Sequence, residues 1–266
     1  MTAKDLMRAG RLSEARTVLN EEVRSAPGNV GNRTLLFQVL ALHGEWDKAL
    51  RHLDMISTQD PSRAIGVHAY LDIITAEKER LKVMQRIQQP SVMPEPPSYF
   101  GQYLEYLDDI KDLKYDDAKN LVKKIDKARP FISGTLNSKR FEGCCDTDAR
   151  LYAFLEAFVH ERYVWIPFET IRELVIHEPK TSFDLIWVMA SITTWSGLTM
   201  NCCLPVLYPE SFQHANEQIK MGRLTDWVPL GGGLSKGVGQ HVYQIGQEDR
   251  AILDIRETSF QLPGRE

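Results

Sequence analysis

The sequence predicts an α+β protein in two parts: an α-solenoid of helical hairpins over residues 1–130, then a smaller α+β domain over residues 131–266 with a mainly antiparallel sheet or partly open barrel. Three observations predict it. Gly10 to Pro27 returns 34 residues later as Gly44 to Pro61, with Leu12 matched by Trp46, Ala15 by Ala49 and Leu19 by Leu53. Tyr115, Ala118, Val122 and Pro130 keep the same internal spacings further on. Beyond His160, β-branched and aromatic runs separated by Pro, Gly and Asn replace the helical period.

A period of about 34 residues with a small residue in the second helix and a closing Pro is the tetratricopeptide signature, one helical hairpin per repeat. Ala15, Ala49 and Ala118 are placed where two helices cross, since a methyl group lets the backbones approach. Gly10 and Gly44 permit the turns, and Pro27, Pro61 and Pro130 stop the second helices. The third copy carries Leu113 at the glycine position, so its turn is expected to be built differently. After Pro61, Val67, Tyr70, Leu71 and Ile74 open another hairpin, but EKERLKVMQRIQQP offers no small residue for its second half, and the first helix is free to run on. Residues 89–98, with four prolines, read as an extended linker within the array.

From Ser98 to Asp112 the repeat positions are mostly polar, and Phe100, Tyr103, Leu107 and Ile110 form an apolar stripe instead. Two readings follow. The stripe is core, packed on the second domain, or it is a partner-binding groove for an amphipathic helix.

In the second half, SGTLNSKRFEGCCDTDAR reads as loop and LYAFLEAFV as a buried helix, with Asp148 available to cap it. RYVWIPF, DLIWVMASITTW, NCCLPVLY, HVYQIG and AILDIRETSF read as strands, with short helices at FETIRELVI and SFQHANEQIKMG. GGGLSKGVG matches neither a Walker loop nor G-x-G-x-x-G, and reads as a flexible hairpin loop.

Composition narrows function by exclusion. The chain is 43% hydrophobic and 26% charged, as in ordinary globular proteins. With 20 Lys/Arg against 19 Asp/Glu in residues 1–130 and 12 against 17 thereafter, neither half has the basic excess of a nucleic-acid binder. The longest apolar run, Phe183 to Ile192, contains Asp184 and is too short to insert into a membrane, and MTAKDLMRAG lacks a signal-peptide core. A cytoplasmic protein is expected. The vicinal pairs Cys144–Cys145 and Cys202–Cys203 lack zinc-knuckle spacing, so reduced, partly buried thiols are expected and no cofactor or metal site. The remaining enzymatic reading gathers Asp146, Asp148 and His160 into a small-ligand or hydrolytic pocket of the second domain.

Six segments carry a resemblance. DTDARLYAFLE, RYVWIPF, SFDLIWVMASI, LPVLYPESF, MGRLTDW and AILDIRETSF resemble, in that order, the ImpE-like family, also called the SciE or TagJ family. The resemblance implies a cytoplasmic, non-catalytic adaptor of the bacterial type VI secretion system. Its implied partners are the N-terminal helix of the small contractile-sheath subunit and the AAA+ unfoldase that recycles contracted sheath. The motif residues Pro205, Tyr208, Gly222, Trp227 and Arg256 are read as structural.

Overall fold

The computed structural model describes residues 1–263. Its helical half begins with α1 (Ala3–Arg8) and α2 (Leu12–Ser25), which turn at Gly10, and α3 (Val30–Leu42) and α4 (Trp46–Gln59), which turn at Gly44. Gly44 has φ 68°, where a side chain strains the backbone, and a Cβ there would lie 2.3 Å from the Phe212 ring. The turn therefore doubles as a docking point for the second half.

A single 21-residue helix, α5 (Ala64–Met84), stands where another hairpin was open to form. The last pair is α6 (Phe100–Lys111) and α7 (Tyr115–Ala128). Between them Leu113 takes φ 62°, the conformation glycine holds in the earlier turns, rather than the different turn expected of it. Leu12, Trp46 and Tyr115 each open the second helix of a pair, and Ala15, Ala49 and Ala118 are fully buried. Each helix from α1 to α4 packs on the next.

The proline-rich stretch is not a free linker. It contains β1 (Ser91–Val92), which pairs in parallel with β6 (Arg162–Pro167), Ser91 opposite Val164 and Val92 opposite Trp165. The chain continues through β2 (Ser133–Leu136), β3 (Lys139–Glu142), β4 (Cys144–Asp146) and β5 (Phe154–Val159). After β6 come β7 (Ile171–Ile176), β8 (Trp187–Thr194), β9 (Thr199–Pro205) and the short helix α8 (Glu217–Lys220). Then follow β10 (Thr225–Gly231), β11 (Leu234–Gly239), β12 (Val242–Ile245), β13 (Glu248–Ala251) and β14 (Glu257–Gln261).

Nine strands form one sheet in the order β1-β6-β5-β9-β8-β7-β14-β2-β3, antiparallel except at β1–β6. The sheet is larger than the sequence suggested, and its order is open rather than closed into a barrel. β10–β11 make a hairpin, and β13-β12-β4 a three-stranded sheet.

Three segments differ from their reading. SGTLNSKRFE is not loop but the β2–β3 hairpin, turned at Asn137 and Ser138 with φ 47° and 70°. LYAFLEAFV is not helical: turns lead into β5, leaving Asp148 no helix to cap. FETIRELVI is a short 3-10 turn and then β7. The physical reason is shared for β5, which is buried on both faces. Phe154 and Phe158 pack toward the helices while Leu155 and Ala157 pack on the opposite side, so no alternation marks it as a strand.

One core runs through both halves. Leu19, Phe37, Leu53 and Tyr103 of the helices join Phe154, Trp165 and Trp187 of the sheet in a continuous buried cluster. The other face of the sheet packs Leu155, Val164, Ile166, Ile171, Val188 and Ile192.

Candidate functional site

Within the shared core lies a cluster of charges. Glu77 and Arg80, three residues apart, project from α5 toward the sheet, and Glu156 projects from β5 among Phe154 and Phe158. Arg80 donates Nε and Nη2 to the two oxygens of Glu156 at 2.9 and 2.6 Å, and Nη2 also reaches the Leu207 carbonyl at 2.8 Å. Its Nη1 lies 3.3 Å from Glu77, whose other oxygen accepts from Trp187 Nε1 at 2.8 Å. Tyr163 donates to Glu156, and Trp165 Nε1 donates to Tyr163 at 2.5 Å.

His241 carries the cluster onward. Its Nε2 is 2.9 Å from Glu156 and its Nδ1 3.1 Å from Asp146. Asp146 also accepts from the Tyr208 hydroxyl at 2.9 Å and from the Asp148 backbone N–H at 2.7 Å. Asp148 is gripped by Arg150 through Nε at 3.1 Å and Nη2 at 2.7 Å, and accepts from Gly237 N at 3.1 Å. Glu210 then joins Arg150 at 3.6 Å to Lys236 at 2.9 Å. At the outer end Trp227 donates Nε1 to Thr147 Oγ1 at 3.1 Å, itself 2.9 Å from Tyr208. The segments DTDAR, LYPES and LTDW, distant in sequence, thus meet in one network.

Burial sets its electrostatics. Five carboxylates face three permanent cations, and His241 sits among them with no exposed surface. Burial alone would lower the imidazole's pKa, but Asp146 and Glu156 on its two nitrogens hold it above the ordinary value. Burial also opposes ionisation of Glu156, yet Arg80 and His241 keep its pKa far below the usual range. Asp146 is pushed up by burial, with the Asp148 charge adding to it and His241 opposing.

Asp146 and Asp148 do come together, as the enzymatic reading required, but His160 does not. It is exposed at the β5–β6 turn with φ 55°, and His241 takes the place beside the acids. The carboxylates are answered by the protein's own Arg150 and His241, and the group is closed to solvent. Among the described residues no cluster of three or more His, Cys, Asp or Glu is placed to hold a metal ion. The four cysteines are free, and burial pushes the Cys145 thiol up to about 11 and Cys202 up to about 12.

The stripe Phe100, Tyr103, Leu107 and Ile110 does not line an open groove along its length. Tyr103 is wholly buried, its ring 4.8 Å from Phe154 and 5.9 Å from Trp165, with its hydroxyl donating to the Arg150 carbonyl at 3.2 Å. Phe100 meets Phe154 edge-on at 6.1 Å. Leu107 and Ile110, each 6% exposed, instead line a cavity of about 380 Å³ bounded by the end of α5, the end of α6 and the β10–β11 hairpin. Trp165 and Arg150 line it too, so the cavity backs directly onto the charge network.

The network escaped sequence reasoning because its charges come from separate elements. Two signals were legible: Glu77 and Arg80 continue the apolar face of Tyr70 and Ile74 where aliphatic residues belong, and Glu156 interrupts an apolar run.

Helical hairpins fused through a shared core and a largely buried ion network to a large, mostly antiparallel sheet define a mixed α+β protein. The sequence profile of the ImpE protein family matches residues 138–259, the stretch that supplies most of the network. Over 261 residues, 98% of this chain and 92% of that protein, the sequence is 32% identical to the type VI secretion system accessory component TagJ of Pseudomonas aeruginosa. The chain belongs to the ImpE family. The crystal structure of a Vibrio parahaemolyticus protein shares the fold, with a TM-score of 0.88 over 97% of both chains at 18% identity.

Proposed function

We propose that this chain is a non-catalytic adaptor of the bacterial type VI secretion system, working in the cytoplasm. In this reading it binds the N-terminal helix of the small contractile-sheath subunit and links the sheath to the AAA+ unfoldase that disassembles it. Similarity to an accessory component of that system supports the setting. One structural observation carries the non-catalytic part. The acids and imidazole that a hydrolytic site would use are buried and bonded to the protein's own partners, which supports that part of the reading.

Residues 1–130 serve as a short tetratricopeptide-like array, a reading supported by the buried alanines and the glycine turns. Of the stripe, Leu107 and Ile110 contribute to recognition through the cavity they line, while Phe100 and Tyr103 hold α6 on the sheet. The test is capture by the full-length chain of the N-terminal segment of the cognate small sheath subunit, with a scrambled segment as control. Capture of the native segment alone is expected, followed by recruitment of the unfoldase to the pair. Equal retention of both segments, or of neither, would remove the proposal.

A further inference from the structure

We infer that the cavity between the ends of α5 and α6 and the β10–β11 hairpin receives one bulky apolar side chain of an amphipathic partner segment, whose acidic residue lies against Lys111. This rests on the adaptor reading and names the contact it would use. The cavity's walls are Val83, Met84, Leu107, Ile110, Trp165 and Leu230, an aliphatic and aromatic surface to which Met84 adds an adaptable side chain. At about 380 Å³ it lies near the lower end of the range for ligand sites, roughly 300–1,000 Å³. It fits an anchoring side chain and its neighbour rather than a large cofactor.

Charge selects the neighbour. Arg86, Lys111, Arg150 and Lys236 line the cavity, and no Asp or Glu does. Arg150 and Lys236 are answered from behind by Asp148 and Glu210. Arg86 gives Nε to Asp108 at 2.8 Å and Nη2 to the Leu104 carbonyl at 3.3 Å, but its Nη1 is sealed from water without a hydrogen-bond partner among the described residues. Lys111 reaches the Gln85 carbonyl at 3.4 Å, a long contact for an ammonium. The exposed Lys111 ammonium at the rim is the cation a partner's carboxylate can reach, with a charge-assisted bond. On a helix, that carboxylate belongs three or four positions from the apolar anchor, on the same face. A neutral or basic segment would face Lys111 with nothing to offset its charge.

The experiment measures fluorescence anisotropy of a labelled peptide, the N-terminal segment of the cognate small sheath subunit, with full-length protein. Leu230→Trp fills the cavity from its half-buried rim, and Lys111→Glu reverses an exposed charge, so both variants are expected to keep the wild-type melting temperature. Each should weaken binding by about tenfold or more, as loss of a pocket anchor or its charged partner does. A peptide with its acidic residue changed to Lys should lose affinity for wild type and regain it with Lys111→Glu. If both variants bind as wild type does, the cavity is not the contact and the adaptor reading stands on another surface. If wild type fails to bind the native peptide at all, both fall together.

Discussion

His241 is the residue on which the buried network turns. Its folded pKa is raised, so its ionic contribution is fully present below the unfolded value, about 6.5, and is lost as pH rises through the higher folded value. Glu156, with its pKa depressed chiefly by Arg80 against the pull of burial, acts in the opposite sense. It stabilises above the unfolded carboxylate range and loses that contribution only in acid. We expect the melting temperature of wild type to fall as pH rises above about 6.5, and that of His241→Gln to stay flatter; parallel curves would show that the imidazole carries no such proton. Arg80→Met should cost about 3–5 kcal/mol in denaturant unfolding, because Glu156 and Glu77 would be left buried without their cation. A loss below 1 kcal/mol would mean that water reaches the cluster.

Among the elements, the helices were legible and the sheet only partly so. Ala15, Ala49 and Ala118 mark helix crossings by size alone, and their full burial makes a test of the repeat positions available. Ala49→Leu should destabilise the protein by roughly 1–3 kcal/mol through overpacking. Lys48→Leu, on the exposed face of the same helix, should be nearly neutral; equal melting shifts for the two would contradict the crossing. Strands that alternate or end at clear turns, such as β6, β8 and β9, could be read from sequence, whereas β5 could not, being apolar on both faces. β2 and β3 hid for the opposite reason: Lys139, Arg140 and Glu142 are exposed on an edge strand that looks like loop. GGGLSKGVG, read as a flexible hairpin loop, supplies the turn of the β10–β11 hairpin and strand β11 itself, with Gly231 so close to Tyr115 that a Cβ would sit 2.3 Å from the ring. The cavity and the charge network were beyond sequence for a further reason. Each needs α5, α6 and the β10–β11 hairpin, or α5, β4 and β5, brought together by tertiary packing that no local pattern encodes.

At the scale of the whole molecule, the boundary near residue 130 separates most of the helices from most of the strands, but β1 and the forces that hold the molecule cross it. Phe37 of α3 stacks on Phe183 at 5.5 Å, Tyr70 of α5 lies 6.1 Å from Trp187, and Gln38 exchanges hydrogen bonds with Ser182 at 2.8 and 2.9 Å. Helix α2 has no side-chain cap of its own. Glu217 of α8 supplies one, accepting from Leu12 N at 2.8 Å and Ser13 N at 2.9 Å. Residues 1–130 on their own would expose the faces of Phe37, Tyr70 and Tyr103, and would leave Arg80 without Glu156 in what had been core. We therefore expect the full chain to unfold in one transition, with near- and far-ultraviolet circular dichroism coinciding. A fragment of residues 1–130 should retain helix yet melt without cooperativity and bind a hydrophobic dye. Two separate transitions in the full chain, or a sharp melt of the fragment, would show the halves to be independent domains. In that case the ion network would be a contact between finished units rather than part of what folds them.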